Sequence, residues 1–260
     1  YYGESYDLEN GGDPGYIVWD DSNANITIQG NVYSDESGTV SGVCDGSTPV
    51  VRLLVQGASP QSVSCRASDG LYQVNGIIYS PGDTITVYLD TNGGVQAANI
   101  TVDPVTSIYN MHLYEDRVVV RHEDADPITI ALMSVYDSDQ DADIPFDADT
   151  GGTNSVSFDP KTKLIVWSGK DFAPGGDVTL TGGAGTSYSG TLEMQNNAGV
   201  IASSTVAEMY TVGGSWLTGS GATFTAGTST VEFTATSTGK IVSPDDSAFN
   251  TLTFNGSGGE

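Results

Sequence analysis

The chain has 260 residues, with 33 Asp plus Glu against 8 Lys plus Arg and a formal charge of −25. Phosphate neutralisation needs Lys and Arg, so this balance excludes a nucleic-acid binder and disfavours docking on an anionic membrane surface. The 33 glycines, together with abundant Thr, Ser and Val, specify an all-β chain long enough for two or three small domains. The excess acid reads first as solubility and self-repulsion of a secreted protein, then as divalent-cation binding or adaptation to a salty habitat.

Residues 1–24 form an acidic, aromatic N-terminal tail, with Tyr1, Tyr2, Tyr6, Tyr16 and Trp19 set among acids and glycines. The chain opens on Tyr1-Tyr2-Gly3 and holds no 18-residue apolar run, as expected of a mature secreted chain whose signal has been removed. Within the tail, Tyr16, Ile17, Val18 and Trp19 make a strand-like run. It reads either as part of a loose tail or as an inter-subunit strand adding to a neighbouring copy.

Residues 25–105 read as a β-sandwich. Ile26, Ile28 and Val32 alternate with polar residues on one strand, and Val50–Val55 is a more buried run. Turns at Asp69-Gly70, Pro81-Gly82-Asp83 and Asn92-Gly93-Gly94 separate Leu71–Val74, Thr84–Leu89 and Ala98–Val102. Cys44 and Cys65, the only cysteines, are expected to form a disulfide that closes a loop worth about 3 kcal/mol. The order G-x-V-Y, D-G-x-Y and P-G-D-x-I-T-V-Y-L resembles the carboxypeptidase-regulatory or Cna-B-like modules of bacterial surface proteins. That resemblance covers about 80 residues and implies an Ig-like or prealbumin-like sandwich. Many such modules carry a Lys–Asn isopeptide cross-link, which this one departs from because residues 1–160 contain no lysine.

Residues 106–176 read as a small β-rich connector. Asn110–Tyr114 and Arg117–His122 are predicted strands, Asp126-Pro127 a helix start placing Ile128, Ala131, Leu132 and Val135 on one face, with a strand as the rival reading there, and Lys163–Trp167 a further strand. The run Asp137, Asp139, Asp141, Asp143 is a candidate calcium loop, because alternate aspartates bring several oxygens within reach of one hard cation. It lacks the Gly and the Glu of an EF-hand loop, so a solvated acidic loop is the competing reading.

Residues 177–260 form a Gly/Thr-rich strand ladder. Trp216, Phe224, Val231–Phe233, Ile241-Val242 and Leu252–Phe254 recur about 8–10 residues apart, the spacing of short stacked strands. A β-solenoid is the first expectation and a second β-sandwich the other. The chain stops inside this pattern at Asn255–Glu260, as a fragment or processed form would. Across 25–260 the motifs P-G-D-x-I-T-V-Y-L-D, L-I-V-W-S-G-K, F-T-A-G-T-S-T-V-E-F and F-N-x-L-T-F-N-G-S-G-G resemble large repetitive proteins of uncultured, small-genome bacteria. The resemblance implies a secreted or surface-anchored polymer or adhesin.

No G-x-S-x-G elbow, HExxH or P-loop occurs, and His112 and His122 read as surface histidines. Asn25, Asn99 and Asn255 head N-x-S/T triplets and are glycan acceptors in an organism with that machinery. The expectation is therefore a non-enzymatic extracellular filament subunit that associates with its own copies by strand addition. The alternative is a single-chain adhesin or carbohydrate-binding stalk. Neither expectation includes membrane insertion or any cofactor beyond calcium.

Overall fold

The computed structural model describes residues 6–7, 18–19, 24–124, 126–152, 154–183 and 186–256. It is all-β, 41% strand and 2% helix, with about six stacked turns of a β-solenoid-like arrangement.

In the N-terminal part, Ala58–Val63, Val51–Val55, Thr84–Leu89 and Ala98–Val102 lie side by side as antiparallel neighbours. A second sheet covers one side of them. There Ala24–Tyr33 pairs antiparallel with Leu71–Tyr79 and parallel with Leu113–Tyr114. Ile28, Leu53, Ile77, Ile85, Val87 and Leu89 fill the space between the two sheets. Thr84–Leu89 and Ala98–Val102 are buried along their whole length. Their other face, through Tyr88, Ala98, Ile100 and Val102, belongs to the solenoid core. A strand buried on both faces reads as the near-continuous Ile/Val/Leu run seen here rather than as an alternation.

From Ala98 onward the pairing turns parallel. The first ladder runs through Ala98, Val118, Leu164, Leu192, Trp216 and Val242 as register partners. The second stacks Phe172, Val200 and Phe224, with Ile128 bridged to Phe172. The third aligns Val156, Val178, Tyr210, Val231 and Leu252 beside Phe158, Leu180, Val212, Phe233 and Phe254. The chain visits the three ladders in the same order on each turn. Parallel stacking therefore begins at Ala98 and Arg117, well upstream of the segment 177–260, and one nine-stranded sheet joins the N-terminal strands to the ladder.

Corners between the first and second ladders need a left-handed residue. Gly169 (φ 69°), Asn197 (φ 56°) and Gly221 (φ 71°) supply it, each from a residue type that reaches this region at low cost. The predicted helix start shifts: the helix is Ile130–Met133, with Thr129 as its N-cap accepting from the Leu132 N–H at 3.3 Å. Asp126-Pro127 stays outside it, and the helix lasts a single turn because it only spans the gap between two ladders. The Tyr16–Trp19 run falls partly outside the described residues, which exclude Tyr16 and Ile17. Val18–Trp19 pairs antiparallel with Tyr6–Asp7 of the same chain.

Candidate functional site

The acidic run divides between two jobs. Asp137, Asp139 and Asp147 bring carboxylate oxygens within 4.8 Å of one another. Asp137 is 3% exposed. Its oxygens accept the Asp139 N–H at 3.0 Å and the Ala148 N–H at 3.1 Å. Burial pushes its carboxyl above the usual range, the two N–H groups pull it back, and the neighbouring carboxylates of Asp147 and Asp139 raise it again. These three are the residues that would hold a calcium ion.

Asp141 and Asp143 instead pin the N-terminal part to the helix loop. Asp141 accepts from the Tyr88 hydroxyl at 2.6 Å and lies 3.6 Å from Arg52. Asp143 is buried and accepts the backbone N–H groups of Thr91, Asn92 and Gly93 at 2.9, 2.8 and 2.6 Å. The sequence reading placed all four in one loop. The third member of the cluster, Asp147, comes from the next strand, Phe146–Asp149.

Cys44 and Cys65 are joined, 21 residues apart, in the core beneath the covering sheet. On the chain-entropy model, reduction is expected to remove about 3 kcal/mol, read as a fall in the urea midpoint when reductant is added.

The outer face of the first ladder carries a charged layer with no signature in the sequence. Lys163 is 6% exposed; its ammonium pairs with Glu36 at 3.1 Å and with Glu193. Arg117, also buried, donates to Glu36 at 2.8 Å and packs 3.7 Å over the Tyr188 ring. Glu36 thus ties the covering sheet to a strand 127 residues further along the chain. Burial alone would raise its carboxyl, but Arg117 and Lys163 overcome this and hold it at about 2. Because the folded value lies below the unfolded one, this contribution is complete above about pH 4.5 and is lost as pH falls toward 2. An acid titration of stability is expected to show that loss, and Glu36→Gln to flatten it.

The histidines are not surface groups. His122 is 6% exposed and accepts the Asp171 N–H at its Nε2 (2.9 Å), so it fastens one turn to the next. His112 is half-buried between Tyr33 and Trp167, and its Nδ1 accepts the Asn31 N–H at 3.1 Å. Burial and Arg121 lower its pKa. Neither histidine faces a Ser nucleophile in the described hydrogen bonds. Asn99 is fully buried and donates to the His112 carbonyl at 2.9 Å, which closes it to glycan attachment in the folded chain. Asn25 and Asn255 are exposed.

The last described rung, Val242 and Thr251–Phe254, is left uncovered by the described residues. Val242, Leu252 and Phe254 continue columns whose preceding members, Trp216, Val231 and Phe233, are buried. They are nevertheless 36%, 42% and 69% exposed, and Ile241 beside them 57%. Val242 and Phe254 line a groove of about 240 Å³ together with Gly214, Phe233, Lys240 and Gly256, among others. The opposite edge is guarded. Ala58–Val63 contains Pro60, and Phe146–Asp149 turns Asp147 and Asp149 to solvent; proline and charge are the usual devices against edge pairing. Comparison with protein-family models, with curated proteins and with solved structures finds no significant match.

Proposed function

We propose that the chain is a non-enzymatic structural subunit of an extracellular surface fibre, joined to further copies by β-strand addition. The parallel ladder carries this reading, because each turn offers its backbone edge and inward apolar column to the next. The last described strand, Thr251–Phe254, offers Leu252 and Phe254 to whatever strand follows, in this chain or another. With the N-terminal edge guarded, the donor is an extended segment rather than the opposite end of the ladder. Tyr16–Trp19, four consecutive apolar or aromatic residues, is the donor we assign, with Val18–Trp19 giving up its pairing with Tyr6–Asp7 or using its other edge. A disulfide suits an oxidising compartment outside the cell. We read residues 25–105 as an Ig-like or prealbumin-like sandwich module that closes the N-terminal end. Among the described residues no helix is long and apolar enough to cross a membrane, which leaves β-barrels aside.

Negative-stain electron microscopy of the purified chain at neutral pH tests this reading. Regular filaments are expected from the whole chain and dispersed particles from a chain lacking residues 1–24. Dispersed particles from the whole chain would refute it. Calcium at Asp137, Asp139 and Asp147 is a secondary part of the proposal. Adding calcium to the chelated chain is expected to raise Tm, and Asp139→Asn with Asp147→Asn to abolish the rise. An unchanged Tm in the unsubstituted chain removes calcium from the reading.

A further inference from the structure

We propose that the outer face of the first ladder holds a binding groove for a neutral oligosaccharide, with Trp167 at its rim as stacking platform and the Gln195 and Asn196 amides inside it as hydrogen-bond donors. This site stands apart from the terminal rung and does not depend on assembly.

The N-terminal sheet covers the outer face only as far as Val119 and Ile165, which Tyr33, Tyr114 and Trp167 close over. Beyond them the face opens into a groove of about 390 Å³ lined by Ser168, Glu193, Gln195, Asn196, Leu217 and Thr218, among others. Because Val166, Met194 and Thr218 are register partners, the residues that follow them, Trp167, Gln195 and Gly219, also stack in a row along the ladder. That row sets Trp167 at the rim, next to the lining residue Ser168, with the Gln195 amide and the Gly219 gap inside the groove. The gap is built in: a Cβ at position 219 would lie 2.8 Å from the Asn196 nitrogen, so any side chain there collides with the groove floor.

Both amides are pre-oriented. The Gln195 Oε1 accepts the Ser168 N–H at 3.2 Å, and the Asn196 Oδ1 accepts the Ser220 N–H at 3.0 Å. With their oxygens held by backbone, the two NH₂ groups make no hydrogen bond to protein among the described residues and remain available to acceptors in the groove. Trp167 is half-buried, anchored on Ile165 and by Arg121 at 5.5 Å from its ring, so it offers a fixed apolar surface at low entropic cost. The acid in the groove, Glu193, is already paired with Lys163. A chain of charge −25 repels polyuronates and sulfated polymers. A hydroxyl-rich, uncharged ligand with an apolar ring face therefore matches what the groove supplies: a rigid aromatic and a few fixed polar groups.

Calorimetric titration with cellohexaose, chitohexaose and maltohexaose, with polygalacturonate as the anionic comparison, tests the proposal. At least one neutral probe is expected to bind, and Trp167→Ala to weaken it by about tenfold or more. The double variant Gln195→Glu/Asn196→Asp keeps the oxygens that Ser168 and Ser220 use and deletes both NH₂ donors. It is expected to lose binding to a similar degree with its Tm unchanged, which separates recognition from folding. No binding by any neutral probe, binding that survives the double variant, or equal binding of polygalacturonate would overturn the proposal.

Discussion

Replacing Trp216 with alanine is expected to lower stability by about 3–5 kcal/mol, the largest single-residue effect in the ladder. Trp216 is fully buried where the first ladder meets the interior. Its ring stands 4.9 Å from Phe224, 5.2 Å from Phe249 and 6.4 Å from Tyr210, edge-on in each case. Those partners come from the second and third ladders and from the rung above, so the indole links neighbouring turns as well as filling one. Its N–H is buried without a partner among the described residues, a cost that offsets part of the packing gain. Trp216→Phe, which deletes that N–H and keeps an aromatic ring, is accordingly expected to cost much less than Trp216→Ala. Urea unfolding of the three proteins checks the order, and an alanine variant within 1 kcal/mol of the parent, on the scale of surface substitutions, would contradict it. Because stacked turns are stabilised largely by their neighbours, the loss is expected to fall first on residues 192–256, seen as faster amide exchange there than in 24–120.

Lys163→Ala is expected to destabilise by about 3 kcal/mol, in the range for breaking a buried ion pair. The ammonium is surrounded by Glu36 and Glu193, with the Arg117–Glu36 pair alongside. Its removal leaves Glu193 on the sheet face without its cation and halves the positive charge that holds Glu36. Glu36 is itself about one-third exposed, so solvent softens its share. Lys163→Met, which keeps the stem that packs on the sheet, separates charge from packing. Equal losses in the two variants place the effect in the charge, whereas a harmless methionine would show that the stem carries it. Adding Glu36→Gln to Lys163→Ala should cost less than the sum of the two alone, since both act on one cluster.

Much of the ladder was legible in single strands. Thr84–Leu89, Ala98–Val102, Asp177–Leu180, Met209–Val212 and Thr230–Phe233 follow directly from β-branched runs bounded by turn residues. What stacks on what was not legible, because the first ladder's register partners Val118, Leu164, Leu192 and Trp216 are separated by unequal insertions. The helix and the Phe146–Asp149 strand occupy the longest of these and hide the repeat. A usable signal was present at the corners: Gly169, Asn197 and Gly221 each lie five positions after the inward Leu164, Leu192 and Trp216. Ala58–Val63 escaped notice because Pro60 and exposed polar residues suit an edge strand and give it no hydrophobic pattern. At the candidate sites, sequence proximity misled. It grouped Asp141 and Asp143 with Asp137 and Asp139, whereas hydrogen bonds to Tyr88 and to the 91–93 backbone draw the former pair away. The partnership of Glu36 with Lys163 depends on folding across 127 positions, beyond the reach of any local pattern.

The most direct measurement is hydrogen–deuterium exchange over Ile241–Phe254 as protein concentration rises, followed in parallel by sedimentation velocity. If copies join at the bare rung, exchange there slows as larger species appear, while Ala58–Val63 at the guarded edge is unchanged. Leu252→Asp with Phe254→Asp then abolishes both the protection and the larger species. Larger species that form with no protection over 241–254, or a chain that stays monomeric at every concentration, would contradict assembly through the open end of the ladder.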